Sequence, residues 1–89
     1  MISRKLKICN KKGLHARAAA KVVSLANNFK SDITLVKDGK DADARSIMKI
    51  LMLSASKGTS INVQIDGEDQ ENAMKSIVKL FNQGFDEGI

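Results

Sequence analysis

The chain has 89 residues and a formal net charge of +5; 43% of its residues are hydrophobic and 28% are charged. This length predicts one domain covering residues 1–89, with a modest core and no deep substrate cavity, which argues against a self-contained metabolic enzyme. The composition excludes an intrinsically disordered chain, and no apolar run approaches the roughly 20 residues that span a bilayer.

The first half of the chain predicts a strand, a helix and a hairpin. Apolar residues recur on one side of the segment 2–8, which is typical of a strand with one buried face. Residues 16–28 are rich in alanine and predict a helix. β-Branched residues over 33–36 and the tight-turn pair at 38–39 predict a hairpin that returns through residue 44. The predicted buried face of the helix comprises Ala16, Ala19, Ala20, Val23 and Ala26.

The second half predicts a short helix, a strand and a longer helix. The segment 47–53 is short and almost entirely apolar, and apolar residues over 61–65 alternate with polar ones as in a half-buried strand. Apolar residues over 73–81 recur at helical spacing, and the acidic residues of 68–71 favour a helix N-terminus.

The predicted order of elements is therefore β-α-β-β-α-β-α. Because the strands have one polar face, we expect the helices to cover the other face of the sheet. The predicted fold is α+β: an open-faced sandwich in which a four-stranded antiparallel sheet carries three helices on one face.

The segment Gly13–Arg17 places the only histidine of the chain, His15, at the predicted start of a helix. Unpaired N–H groups and the macrodipole make a helix N-terminus a site for anions, and Arg17 in the first turn is within reach of a phosphate held there. Imidazole is a nucleophile near neutral pH. These residues predict that His15 carries a phosphoryl group, stabilised by the helix end and by Arg17.

Other readings of the same residues remain open at this point. A lone histidine near a helix start is also typical of a surface residue or a helix cap, and basic residues in a loop are usually only solvated. With one histidine and one cysteine, Cys9, a metal site or a catalytic triad is not expected. No glycine-rich nucleotide loop is present in the sequence, so we expect neither a metal nor a cofactor.

Three motifs resemble those of the histidine-containing phosphocarrier (HPr) family of the bacterial phosphoenolpyruvate-dependent phosphotransferase system: Gly13–Arg17, Ser46–Met48 and Gly58–Ile61. The likeness covers essentially the whole chain. It implies that enzyme I phosphorylates a ring nitrogen of His15, which of the two being left open. It further implies that Arg17 stabilises the phosphoryl group and that a protein of the enzyme IIA class accepts it. The protein would then be a phosphoryl carrier and not an enzyme.

Two residues depart from the pattern of that family. Ala18 stands where proline usually follows the arginine, and we expect a slightly looser helix start without loss of chemistry, since alanine is the best helix former. Lys49 replaces a small residue after the Ser-Ile-Met motif. This change puts partner preference in doubt more than carrier function.

Ser46 precedes the short apolar helix and is a natural N-cap. The family resemblance adds a regulatory role, because an HPr kinase (HPr kinase/phosphorylase) phosphorylates this serine in some bacteria. Phosphate at that position would add negative charge beside the docking surface and inhibit transfer without unfolding the protein.

The short helix is too apolar to be covered on all sides by one sheet. With Ile50 and Leu53 on the core side, an apolar patch remains for partner docking, unless neighbouring loops cover it. The predicted docking residues are Met48, Leu51 and Met52, with Ile47 at the margin.

Two other functions compete with the phosphocarrier. One is a regulatory HPr relative that binds a partner without carrying phosphate; retention of His15 and Arg17 argues against it. The other is a basic nucleic-acid-binding module, for which we expect no specific binding, because the sequence offers no Tyr or Trp for stacking. We expect a cytoplasmic monomer, since the N-terminus lacks a secretion signal and a carrier presents one face to each partner in turn. Sugar uptake and nitrogen-related regulation are both open as outputs.

Overall fold

The computed structural model describes residues 1–87. Seven elements follow one another in the predicted order β-α-β-β-α-β-α. They are β1 (Ile2–Lys7), α1 (Ala16–Ala26), β2 (Asp32–Lys37), β3 (Lys40–Asp43), α2 (Ile47–Met52), β4 (Ser60–Asp66) and α3 (Gln70–Asn82). Within residues 1–87, no helix has the length and apolar character needed to cross a membrane.

The four strands form one antiparallel sheet in the order β1-β4-β2-β3. The alternation that predicted β4 is observed, because Ile61, Val63 and Ile65 are buried and the residues between them are not. Across the sheet, Leu6 of β1 lies opposite Ile61, and Leu35 of β2 lies opposite Val63. The predicted α+β sandwich of a four-stranded antiparallel sheet and three helices is confirmed.

The predicted buried face of α1 was wrong by about one position. The buried residues of this helix are Ala18, Ala19, Val22 and Ala26. Ala16 and Ala20 are exposed, and Val23 is only half-buried. The segment is apolar at so many positions that several helix phases fit the sequence, and helical side chains also lean toward the N-terminus. The observed phase places these four buried side chains in the hydrophobic core.

Asp69 lies at the N-cap position of α3, but its carboxylate does not cap that helix. It accepts hydrogen bonds from the Ser31 hydroxyl and from the backbone N–H groups of Lys30 and Ser31, both at 2.9 Å. These donors, the Ser31 hydroxyl foremost, hold the pKa of Asp69 below its usual value. Asp69, one of the acidic residues predicted to favour the start of α3, therefore holds the loop between α1 and β2.

Candidate functional site

The loop between β1 and α1 is fixed by backbone hydrogen bonds immediately before His15. Gly13 has a φ of +66°, and its N–H donates to the Asn10 carbonyl at 3.2 Å. The next N–H, of Leu14, donates to the Ala55 carbonyl at 2.9 Å, and the Leu14 side chain is buried. The backbone is thereby set before the chain enters the helix.

His15 is itself the N-cap residue of α1. Its backbone is extended, with φ −83° and ψ −177°, and its Nδ1 accepts the backbone N–H of Arg17 at 3.3 Å. Its carbonyl accepts the N–H of Ala19 at 2.8 Å, which is the first intrahelical bond. His15 therefore has the capping role that the sequence left open, and capping places its imidazole over the positive end of the helix.

Ala18 is the third residue of α1 and is fully buried. It lies ahead of Ala19, whose N–H makes the first intrahelical bond, so proline at this position would forfeit no bond of the helix ladder. The replacement of proline by alanine therefore leaves the hydrogen bonds of the helix start unchanged.

The other ring nitrogen of His15, Nε2, contacts the carboxylate of Glu87, a residue that the sequence analysis did not identify. The second carboxylate oxygen accepts a hydrogen bond from Asn10 Nδ2 at 2.8 Å, and the same amide donates to the Gly13 carbonyl at 2.9 Å. The Asn10 amide foremost, and then the hydrogen bond from His15, hold the pKa of Glu87 below its usual range against the opposing effect of burial. Glu87 is therefore an ionised carboxylate at neutral pH.

These two partners determine which ring nitrogen of His15 carries a proton. Nδ1 receives a hydrogen bond from the Arg17 N–H and must supply the lone pair, whereas Nε2 faces a carboxylate that only accepts. The geometry therefore selects the tautomer with the proton on Nε2. The nitrogen without a proton, Nδ1, is the one at the helix end.

The basic residues of the site are at the surface. Arg17 is the second residue of α1 and is exposed, and its guanidinium makes no hydrogen bond or ion pair with the part of the chain described by the structure. Lys11 and Lys12 are exposed in the preceding loop, and the charge of Lys12 adds to the lowering of the pKa of Glu87. Three basic residues thus belong to the loop and the first helical turn on either side of His15, whose side chain is 27% exposed.

Ser46 is the N-cap of α2, as the sequence predicted. Its hydroxyl accepts the backbone N–H of Lys49 at 3.3 Å. At the other end of the helix, the Lys37 ammonium donates to the Leu53 carbonyl at 2.9 Å, which satisfies a terminal carbonyl group. Both ends of this six-residue helix are therefore held by side chains.

Most of the predicted docking residues on α2 are at the surface. Met48 and Met52 are each 69% exposed and Ile47 is 39% exposed. Leu51 differs from the prediction, because it is half-buried and packs against the core. We call the exposed trio Ile47, Met48 and Met52 the α2 patch. Helix α2 packs against α1, so the patch lies on the helix next to the one that His15 caps.

The side chains of residues 1–87 that could bind a metal ion are dispersed, and the aromatic rings are wholly or partly buried. No group of three histidine, cysteine, aspartate or glutamate side chains there could hold a metal ion. Phe81 and Phe85 are fully buried and Phe29 is half-buried against the core, so none of the three phenylalanine rings is fully exposed for stacking on bases.

Sequence comparison identifies close relatives along the whole chain. A family model described as "PTS HPr component phosphorylation site" matches residues 2–83. The phosphocarrier protein HPr of Xylella fastidiosa (strain Temecula1) is 46% identical over 87 residues, which cover 98% of both chains. The phosphocarrier protein NPr of Escherichia coli K12 is 39% identical over 87 residues, which cover 97% of both chains.

Solved structures give the same result. The crystal structure of HPr-C-His from Thermoanaerobacter tengcongensis covers the whole of both chains with a TM-score of 0.95 and 40% identity. An HPr dimer from the same organism has a TM-score of 0.76 and 41% identity, and covers 96% of this chain and 98% of the other. Together with a lone histidine capping a basic helix end, these matches establish that the chain belongs to the HPr family of phosphocarrier proteins of the phosphotransferase system.

Proposed function

We propose that His15 accepts a phosphoryl group from phosphorylated enzyme I and donates it to a protein of the enzyme IIA class. The observation that carries the proposal is the position of Nδ1, which holds its lone pair at the N-terminus of α1 and is already hydrogen-bonded to the Arg17 N–H. A phosphoryl group on Nδ1 would meet the unpaired N–H groups and the positive end of the helix. We therefore assign Nδ1 as the acceptor.

Arg17 is the residue suited to stabilise the transferred group. Its guanidinium is exposed and engaged by no other side chain of residues 1–87, so it is available to pair with phosphoryl oxygens. Because its N–H is bonded to Nδ1, its own backbone is tied to the acceptor. The chemistry that activates phosphoenolpyruvate belongs to enzyme I, and this chain acts as a carrier and not as a catalyst in its own right.

The α2 patch is the proposed docking surface for enzyme I and for the acceptor. Methionine side chains adapt to partners of different shape, which suits a surface that meets two proteins in turn. Met52 also borders a groove of about 370 Å³ whose charged lining is Lys40, Asp41 and Lys49, so two ammonium groups and one carboxylate flank the apolar surface. We expect the partners to present apolar side chains ringed by carboxylates.

Ser46 is a proposed regulatory site for an HPr kinase/phosphorylase. Its hydroxyl oxygen already faces the N-terminus of α2, where a phosphate would be stabilised by the helix, and it immediately precedes the α2 patch. Phosphorylation would leave the helix capped while placing negative charge beside a surface that we expect to meet carboxylates. Inhibition would then act on docking and not on folding.

The remaining features fit a carrier of this kind. We propose that residues 1–89 act as a single cytoplasmic domain that works as a monomer, without metal, cofactor or nucleic acid. A carrier that presents one face to donor and acceptor in turn needs no second copy. The buried phenylalanines also argue against nucleic-acid binding. Whether the pathway ends in sugar uptake or in regulation depends on the acceptor protein.

Incubation of the purified protein with enzyme I and labelled phosphoenolpyruvate tests the central proposal. We expect a labelled product that is stable in base and labile in acid, with nitrogen–phosphorus coupling at Nδ1 of His15. The matched variant is His15→Asn, because asparagine keeps the helix capped while removing the nucleophile. Label that persists in His15→Asn would place the acceptor elsewhere. Absence of label in the natural protein, with enzyme I active on a known carrier, would favour the non-carrying regulator.

The docking proposal predicts a change in KM without a change in fold. Met48→Ser and Met52→Ser together should raise the KM of enzyme I for this protein about tenfold, since each exposed side chain contributes about 1 kcal/mol or less to docking. Ser46→Asp keeps a helix cap and adds a charge beside the patch, so it should raise KM as well. Steady-state phosphorylation measures KM, and Asn72→Ser on the exposed side of α3 is the control. If KM were unchanged both in the double methionine variant and in Ser46→Asp, the α2 patch would not be part of the docking interface.

A further inference from the structure

Glu87 reaches His15 because the chain reverses direction after α3. The helix ends in a Schellman motif: the Gly84 N–H donates to the Phe81 carbonyl at 3.1 Å and the Phe85 N–H donates to the Leu80 carbonyl at 3.0 Å. Gly84 and the two residues after it all have positive φ, with values of 61°, 55° and 64°. This left-handed turn brings the last described residue back to the start of α1.

The turn is anchored at two further points. The Phe85 ring is fully buried and lies 4.9 Å from the Phe81 ring between centroids. Asp86 pairs with Lys21 of α1, with 3.3 Å between Oδ2 and Nζ. The position of the Glu87 carboxylate is therefore fixed by packing and by contacts with α1 and the preceding loop.

Each carboxylate oxygen of Glu87 has its own partner in the His15 loop. One oxygen contacts His15 Nε2, and the other accepts from the amide of Asn10, whose side chain is fully buried. The amide in turn donates to the Gly13 carbonyl, two residues before His15. A rigid buried amide thus orients the carboxylate toward the ring.

This arrangement has a consequence for phosphoryl transfer. The hydrogen bond from the Arg17 N–H to Nδ1 is given up when the Nδ1 lone pair attacks phosphorus. The new N–P bond forms as the bond to the donor breaks, and the donor keeps that electron pair. The ring, which still holds the proton on Nε2, then becomes positively charged. A carboxylate on the Nε2–H stabilises that charge and increases the electron density at Nδ1, as the carboxylate partner of a catalytic histidine does in general. Onward transfer reverses the same steps.

We propose that Glu87 is a positioning residue for phosphoryl transfer. Its carboxylate holds the proton on Nε2 of His15, so that Nδ1 presents its lone pair. It also stabilises the imidazolium that forms when the phosphoryl group arrives and when it leaves. The proposal rests on the proposed function of His15. A phosphoryl group on Nδ1 would be bonded to a different ring nitrogen from the one that the Glu87 carboxylate contacts, so the two negative groups would be kept apart.

Glu87→Gln is the informative variant, because the side-chain shape is kept while the charge is lost. The glutamine amide can also donate to Nε2, so it should raise the population of the tautomer with the proton on Nδ1. Two measurements report the effect: the ring-nitrogen chemical shifts of His15 by NMR, and the rate of phosphorylation by enzyme I. We expect the Nε2–H tautomer in the natural protein, a mixture in the variant, and a phosphorylation rate about tenfold lower.

Glu71→Gln is the matched control. It makes the same change of charge at an exposed residue in the first turn of α3, at the opposite end of that helix from the turn that carries Glu87. We expect it to leave both the ring-nitrogen shifts and the rate unchanged. An unchanged tautomer or an unchanged rate in Glu87→Gln would overturn the proposal, and so would an equal loss of rate in the control.

The two readouts also separate this proposal from the proposed function. The NMR measurement needs no partner protein and reports directly on the contact between Glu87 and His15. Failure of the carrier function would appear as an unlabelled natural protein, whereas failure of the Glu87 proposal would appear as a labelled protein with a variant that is equally fast.

Discussion

Gly13→Ala is expected to lower the free energy of unfolding by about 3 kcal/mol and to slow phosphorylation of His15. At the φ of +66°, an L-residue is disfavoured by about 1–2 kcal/mol, partly offset by the lower entropy of the unfolded chain. An added Cβ would also lie 2.8 Å from Ser56 Cα and closer still to the Ala55 carbonyl oxygen. Displacing that backbone contributes about 1–3 kcal/mol more. Urea unfolding and the rate of labelling by enzyme I measure the two effects.

The control for Gly13→Ala is Gly39→Ala in the β2–β3 turn. Gly39 also has a positive φ, of +81°, but a Cβ there would meet no atom within 4 Å. In this variant the free energy of unfolding should fall only by the conformational contribution, about 1 kcal/mol, and His15 should be phosphorylated at the normal rate. Equal losses of stability in the two variants would mean that the close approach to the Ala55–Ser56 backbone does not limit position 13.

The slower phosphorylation expected for Gly13→Ala follows from the same contact. The Ala55 carbonyl that an added Cβ would displace is the acceptor for the N–H of Leu14, the residue immediately before His15. Moving this carbonyl would shift His15, which caps α1, and would change the orientation of its Nδ1. The glycine therefore serves the site through backbone geometry, although it has no side chain to contribute.

The strands were predictable because their hydrophobic pattern allows only one register with the core. A shift of one residue in β4 would move Ile61, Val63 and Ile65 to the polar face of the sheet. Helix α1 offers no such constraint, because alanines occupy both sides of its first turns. Its existence was therefore predicted correctly while its buried face was not.

The placement of His15 and Arg17 at the start of α1 was predictable because their relation is local in sequence. A histidine before a helix and an arginine two positions later must lie together at the helix end. Glu87 is separated from His15 by 72 positions, and no spacing rule connects them. Gly84 signals the end of α3, but nothing in the sequence assigns positive φ to Phe85 and Asp86, which complete the turn.

Phe85→Ala is expected to lower the free energy of unfolding by about 3 kcal/mol and to release Glu87 from His15. The ring is fully buried against Phe81, and truncation of a buried phenylalanine typically loses 3–5 kcal/mol; the lower end applies because a terminal turn can relax. Thermal or urea unfolding gives the stability. The ring-nitrogen shifts of His15 should then resemble those of Glu87→Gln. Phe29→Ala, which truncates a half-buried ring, is the control and should lower the free energy of unfolding by less.

Phe85→Gly distinguishes the loss of packing from the strain of the turn. Both substitutions remove the ring, but only glycine is free of the penalty at a φ of 55°. Glycine should therefore be less destabilising than alanine by about 0.5–1 kcal/mol, the reverse of their usual order in a regular element. If alanine proved the more stable, residue 85 would not be left-handed in solution. Burial of the Phe85 ring offsets the strain of the left-handed turn, which alanine would tolerate poorly. Phe85 therefore both completes the core and holds the turn that brings Glu87 to His15.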